Sequence, residues 1–469
     1  LVGMNGVISN VINILSVTEL GISTAIVYHL YGALARKDEA EIASLMNLYR
    51  KAYHVFAVLV FAAGMAVLPF IHLFMKNNSY SLSYIRVLYA MWLVRTVLSY
   101  LLTYRKSLLI ADQKEYIASI TGLILNVVSY LTIILLVTWE QNYLLALGIG
   151  TVTEVVLNIW ISWYVEQKYP FLRQRRKEKS TSSLTKRIVR DLKSLFISRI
   201  SEKMLYCTDN LIISGFIGVG TVGRYANYCM ITQAISNILT ILANTIQPTV
   251  GDYFTEKNRK RNYEILRQLT FGFFCIASVV SVGLFSLITP FVRDIWLGPS
   301  YELGWGITVF CIVVLLVRIM GLPLSLVMGV TGLFEKEKNV GASSALLNLI
   351  VSLALVKPYG MAGVLLGTLL SYLLQILYRY IIYFRDFLEM PGEALRYAQD
   401  IGEYLAVIAG EVLLMQKIVP LIYGAGGMLL FCVCFLLCIA IPLLLDLVIF
   451  GRGWRLQSIV TMVKGMRKA

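Results

Sequence analysis

Ionisable residues are scarce in this chain. Only 15% of its 469 residues are charged and three are histidine, where a soluble domain carries roughly 25% charged residues. His29, His54 and His72 are scattered with no ligand spacing, so nothing supports a histidine-based metal centre. There is no phosphate-cradling glycine loop, no HExxH, no GxSxG and no Rossmann fingerprint. No motif therefore points to bond-making chemistry, and the chain is expected to be no enzyme and to need no cofactor. The seven cysteines (Cys207, Cys229, Cys275, Cys311, Cys432, Cys434, Cys438) all sit in apolar stretches. Their odd number and the lack of loop pairs argue against a disulfide framework. The run FCVCFLLC at 431–438 has no nearby histidine or carboxylate, so it reads as membrane packing rather than a metal or redox site.

What the chain has in excess is apolar length. Hydrophobic residues make up 58%, and the mean hydropathy is +0.72. Runs long enough to cross about 30 Å of hydrocarbon fall near 8–31, 52–75, 81–103, 116–138, 143–165, 194–216, 222–246, 269–292, 304–328, 340–357, 360–384, 401–420 and 425–449. The expected fold is an all-α polytopic membrane protein with thirteen spans. Basic residues alternate between its loops. Thirty-two lie in connections on one side, among them ten within 166–193, whereas the intervening loops hold Lys76, Arg293, Lys357 and Lys417. By the positive-inside rule the first set is cytoplasmic, as is the C-terminus. The net charge of +15 is thus mainly a topology signal, and no nucleic-acid partner is expected.

The spans repeat. Val2-Gly3 recurs as Val222-Gly223, Pro69-Phe70 as Pro290-Phe291, WLVR at 92–95 as LLVR at 315–318, Asn126 as Asn348, and Gly150-Thr151 as Gly367-Thr368. The register holds along five spans with small insertions. The second copy has an extra helix, 194–216, in front. The repeat and the odd span count both lead us to expect a counterpart before Leu1. Residues 1–165 form an N-terminal lobe with five of six spans, 166–193 a basic cytoplasmic linker, and 194–385 a six-helix lobe. Residues 386–450 form an extra helix pair and 451–469 a basic tail. An even number of spans per lobe makes the repeat parallel, with a substrate path expected between the lobes.

Charges inside spans are the candidate site residues, since each central charge costs roughly 2.5–3.5 kcal/mol on insertion scales. Arg199 and Lys203 lie about 40° apart on one helix face with Glu202 in reach of Arg199. They either pair internally or line a wet cavity that meets an anionic group. Arg95 and Arg318 occupy repeat-equivalent mid-span positions, and arginine's planar fork suits a pyrophosphate. Each could instead bond helix carbonyls or a carboxylate. Arg224 lies beside an outer turn. Glu19, Glu154 and Asp209 are buried carboxylates that either couple transport to a cation or balance cavity arginines. Glu403, Glu411 and Asp446, in the extra pair, read as interface-placed or locally paired.

The stretches GMNGVISNVINILSVTELGISTAIVYHLY at 3–31, ALARKDEAEIASLMNLYRKAY at 33–53 and TDNLIISGFIGVGTVGRYANY at 208–228 resemble the polysaccharide-export (Wzx-type) flippases of the multidrug/oligosaccharidyl-lipid/polysaccharide exporter superfamily. The resemblance runs along essentially the whole chain and departs from the family in the absent first helix. It implies a transporter in the bacterial plasma membrane that turns undecaprenyl-pyrophosphate-linked oligosaccharide across the bilayer for surface polysaccharide (O-antigen, capsule or exopolysaccharide) synthesis. The implied partners are that substrate, membrane lipids, H+ or Na+ as coupling ion, and a polysaccharide polymerase. The alternative is a cation-coupled multidrug exporter on the same fold, which would have an apolar or acidic cavity. A membrane glycosyltransferase would need larger loops than the basic one of about 28 residues seen here.

Overall fold

A computed structural model describes residues 2–15, 30, 33–34, 36–74, 80–112, 114–140, 143–173, 208–253, 258–331, 333–424 and 426–451. Among these every regular element is helical, as the hydropathy pattern requires for segments that must satisfy their own backbone in lipid. The helices are α1 (Val2–Leu15), α2 (Glu39–Val67), α3 (Leu82–Thr103), α4 (Lys106–Ala111), α5 (Glu115–Glu140) and α6 (Tyr143–Lys168), then α7 (Val219–Tyr253) and α8 (Arg259–Pro290). They continue with α9 (Trp305–Val330), α10 (Phe334–Tyr359), α11 (Met361–Ile381), α12 (Pro391–Tyr423) and α13 (Met428–Phe450).

Ten described helices are long and apolar enough to cross a membrane, so the protein is multi-pass. An eleventh expected span, 81–103, forms as α3 but carries Arg86 and Arg95 and falls short of the apolar standard of the ten. The other two, 8–31 and 194–216, fall largely outside the described residues.

Helix starts follow local chemistry. Asp38 caps α2 by accepting from the Ala40 and Glu41 amides at 3.1 and 3.0 Å. Ser81 caps α3 through the Tyr84 amide, and Asn258 caps α8 through that of Arg261. Pro391 opens α12 at the first turn, where its missing N–H costs nothing.

The chain divides into two compact units between Val219 and Gly220. In the first unit α2 packs on α3, α3 on α6, and α5 on α6; in the second α8 packs on α9, α9 on α11, and α10 on α11. The sequence repeat is thus realised as the same set of neighbours twice. The repeated Pro-Phe marks the end of a regular helix in both copies. After α2 the chain tightens into a 3-10 segment, Leu68–Phe74, and after α8 it widens into a π segment, Phe291–Trp296. The helix expected to open the second lobe behaves differently in its described part. Residues 208–216 belong to the first unit, where the Ser214 hydroxyl donates to the Phe74 carbonyl. The extra pair α12 and α13 packs on α8 within the second unit.

The repeated glycines differ in use. A Cβ on Gly367 of α11 would lie 2.4 Å from Ser352 Oγ and 3.1 Å from the Asn348 carbonyl of α10, so only glycine lets these helices approach. Its mate Gly150, on α6, faces the Arg95 guanidinium, with Nη1 3.4 Å from where a Cβ would be.

Candidate functional site

Arg95 and Arg318 sit at the same depth in equivalent helices. Each is the fourteenth residue of its own, counting from Leu82 of α3 and from Trp305 of α9. Their surroundings differ. Arg95 Nε donates to Glu154 Oε2 of α6 at 2.6 Å, and both side chains are about 30% exposed. Its guanidinium carbon lies 5.2 Å from the Trp92 ring centroid, and the Trp92 indole in turn donates to Asn5 Oδ1 of α1 at 2.9 Å. The guanidinium is therefore held on its Nε edge, over an aromatic face, at a bare glycine. Among the described residues its two Nη groups make no hydrogen bond.

In the second copy the residue standing for Glu154 is Ser371. Its buried hydroxyl donates back to the Gly367 carbonyl at 2.9 Å. The two arginines are equivalent in position, but the second copy has a serine where the first has the carboxylate of Glu154. Arg318 is half-buried and Arg224 of α7 is exposed. Asp209 is buried within 208–216. Glu19, Arg199, Glu202 and Lys203 lie outside the described residues. The structure thus brings together Arg95 and Glu154, two of the sequence-predicted residues.

Two apolar grooves flank the charged features. One, of about 560 Å³, lies between α3 and α6, lined by Met91, one turn before Arg95, with Leu145, Gly148, Ile149 and Val152. The other, of about 770 Å³, lies in the second unit among Val317, Met320, Leu373, Leu377 and Leu405. Both have the lining of a site for hydrocarbon chain rather than sugar.

The basic side has its own cluster. Lys114 and the Tyr169 hydroxyl both bond Asp112 Oδ2. Burial alone would raise the Asp112 carboxyl, but these bonds and the lysine charge outweigh it and hold the group below the ordinary aspartate range. Tyr169 is pushed up, first by burial and then by Asp112.

Sequence reasoning picks Arg95, Arg318 and Glu154 from their mid-span positions. It does not pair Arg95 with Glu154, which are 59 residues apart. It also does not connect Ser278, Glu411 and Asp446, which come from three helices and share no spacing.

A family model described as "Polysaccharide biosynthesis protein" matches residues 3–254, more than half of the chain. No curated protein matches it. Among solved structures, "Lipid II flippase MurJ, inward closed conformation" is similar with a TM-score of 0.65 at 16% identity, over 96% of this chain and 92% of that one. An inward-facing multidrug resistance MATE family transporter of the MOP superfamily gives a TM-score of 0.61 at 14% identity, covering 82% and 90%. The Vibrio cholerae MATE transporter VcmN in the bent form gives 0.51 at 13%, covering 84% and 89%. At these identities the likeness shows a shared fold.

Proposed function

We propose that this chain, which belongs to the polysaccharide biosynthesis protein family, is a flippase. It carries undecaprenyl-pyrophosphate-linked oligosaccharide across the bacterial plasma membrane by alternating access, with Arg95 as a contact for the pyrophosphate. One observation carries the reading: a mid-span guanidinium anchored by its Nε edge to Glu154 while both Nη groups make no hydrogen bond among the described residues. Phosphate oxygens are what that open edge is shaped to accept, in paired charge-assisted bonds. Glu154 balances the charge when no substrate is present and keeps the fork from swinging into the protein. The neighbouring apolar groove gives a prenyl chain a place beside the charged head. Arg318, Arg224, Arg199 and Lys203 would extend the cationic path, with Glu19, Asp209 and Glu202 as balancing or coupling carboxylates. H+ or Na+ would be the coupling ion and a polysaccharide polymerase the downstream partner.

Physically, a sugar diphosphate cannot cross hydrocarbon unaided, because its charges and hydroxyls would lose their hydrogen bonds. A fixed guanidinium lowers that barrier without breaking a bond in the substrate. The test is complementation in a bacterial strain lacking its own lipid-linked oligosaccharide flippase. Arg95→Gln should reach near-normal membrane levels and fail to restore surface polysaccharide, and Arg95→Lys should restore little, because a point charge does not replace a fork. Full export by Arg95→Gln would remove Arg95 from the site. Efflux of cationic dyes by the wild type, without any export of polysaccharide, would favour the multidrug exporter instead.

A further inference from the structure

The three helices α8, α12 and α13 meet in layers inside the second unit. At one level Arg267 of α8 grips Asp400 of α12, Nε to Oδ2 at 2.6 Å and Nη2 to Oδ1 at 3.0 Å. Next comes an aromatic layer. Phe274 stacks on Tyr404 with centroids 4.5 Å apart, and Phe450 of α13 meets both edge-on at 5.5 and 5.8 Å. One turn beyond, Ser278 of α8 donates to Glu411 Oε2 of α12 at 2.6 Å. Asp446, one turn before Phe450, faces the same serine and the same glutamate. The layer is sealed: Ser278 is 0% exposed, Glu411 3% and Asp446 4%.

This layer is electrically incomplete. Oε1 of Glu411 and both carboxylate oxygens of Asp446 are buried and accept no hydrogen bond among the described residues. Among the described residues the groups that act on Asp446 are Glu411 from α12 with Ser278 and Cys275 from α8, and none of them is cationic. The one hydroxyl hydrogen of Ser278 is already committed to Glu411. Burying two unpaired carboxylates side by side is prohibitive, because each loses water and each repels the other. Three helices therefore bring together three carboxylate oxygens that the Ser278 hydroxyl does not serve.

We propose that Glu411 and Asp446 form a proton-binding site at the interface of the C-terminal helix pair with α8, in which a proton neutralises one of the two carboxylates and Ser278 orients the glutamate. The geometry favours a proton over a metal. Two carboxylates and a hydroxyl already engaged as a donor offer few ligands to a hard cation that collects about six oxygens, whereas a proton needs only one carboxylate oxygen. The aromatic layer closes the site on one side. On the other, Ser281 is buried and Ser286 lies eight residues, roughly 12 Å of helix, beyond Ser278. Ser286 lines a cavity of about 330 Å³ with Thr289, Glu302 and Gln416. The charge pattern makes that side external. Only an O–H bond forms and breaks, and the proton comes from or returns to solvent when the helices part.

The test uses infrared spectroscopy and thermal unfolding of the full-length protein reconstituted in lipid. At neutral pH the wild type should show the carbonyl stretch of a protonated carboxylic acid that fades on alkaline titration, and Glu411→Gln/Asp446→Asn should lack that titrating signal. The unfolding midpoint of the wild type should fall as the pH rises from 7 to 10, and the double variant should lose that dependence. A wild-type spectrum with no protonated acid at neutral pH overturns the proposal. So does a titrating band that survives in the double variant. Sodium that restores the wild-type midpoint at alkaline pH, but does nothing to the double variant, overturns it in favour of a metal-cation site. Should the double variant not accumulate, the wild-type spectrum and its sodium response decide the matter alone.

Discussion

Arg95 of α3 donates from Nε to Glu154 of α6 at 2.6 Å, a link between two helices that are not consecutive in the chain. It fixes which edge of the guanidinium is occupied and which is open. That makes Glu154 a positioning residue for the proposed pyrophosphate contact.

Glu154→Gln should accumulate normally, because a pair about 30% exposed on both sides keeps solvent and contributes about 1 kcal/mol or less. Export should slow by about tenfold, the effect of a misplacement worth about 1.4 kcal/mol, and should stay above that of Arg95→Gln. Membrane levels by immunoblot and surface polysaccharide by staining separate the two quantities. Equal loss in both variants would make the pair a single structural unit.

The Arg267–Asp400 pair should behave differently. It is bidentate, with side chains 22% and 9% exposed, and Arg267 also lies over the Tyr263 ring at 5.5 Å. Asp400→Asn removes the charge from a bidentate pair that is half-buried on the arginine side and should destabilise the second unit by about 1.5–3 kcal/mol. Arg267→Met combined with Asp400→Leu should recover most of that. Thermal unfolding in detergent measures both.

Acid should act through Asp112. Its carboxyl is held below its ordinary value in the folded protein. The stability it contributes is therefore present above the unfolded aspartate value and is lost as the pH falls through the folded one. Between pH 7 and 3 the unfolding midpoint of the wild type should drop further than that of Asp112→Asn. Parallel curves would show that the contacts of Asp112 with Lys114 and Tyr169 are not energetically linked to folding.

Gly367→Ala should cost about 1–3 kcal/mol, as overpacking does, because its Cβ would meet Ser352 Oγ at 2.4 Å. Gly150→Ala should leave the midpoint unchanged and lower export, since its only near neighbour is Arg95. A stability loss at Gly150 equal to that at Gly367 would refute the division of roles.

The charge alternation assigns 166–193 to the cytoplasm and 293–303 to the outside. In a background without native cysteines, Ser183→Cys in intact cells should resist a membrane-impermeant thiol reagent and Ser300→Cys should react. Labelling of position 183 would reverse the topology.

Much of the architecture was legible because lipid makes demands that composition cannot hide. Ten of the thirteen apolar runs correspond to helices able to span, and the repeat found in five short matches reappears as duplicated helix packing. Hydropathy marks the lipid and not the helix, however. Helix α2 begins at Glu39 and α8 at Arg259, well before the apolar windows at 52 and 269, because their polar starts are capped and continue the same helix outside the bilayer. The equivalence of Arg95 and Arg318 was readable from register. The contrast of Glu154 with Ser371 was not, since these positions gain meaning only once α6 and α11 are folded against α3 and α9. The Glu411–Asp446 layer was hidden for the same reason. Each acid read as interface-placed or locally paired, and only the packing of three helices brings both to the level of Ser278.

The paired breaks after α2 and α8 bear on how the two copies came to differ in length. At Pro69 and Pro290 the copies are offset by 221 residues, and at Arg95 and Arg318 the offset is 223. The added residues enter in the interval where the first copy winds tightly over Leu68–Phe74 and the second winds wide over Phe291–Trp296. A wide turn absorbs an inserted residue locally, without rotating everything that follows. An insertion there is a mutation the fold can tolerate while still delivering the next helix with its arginine at the same depth, so the two halves could drift apart in length without losing their alignment.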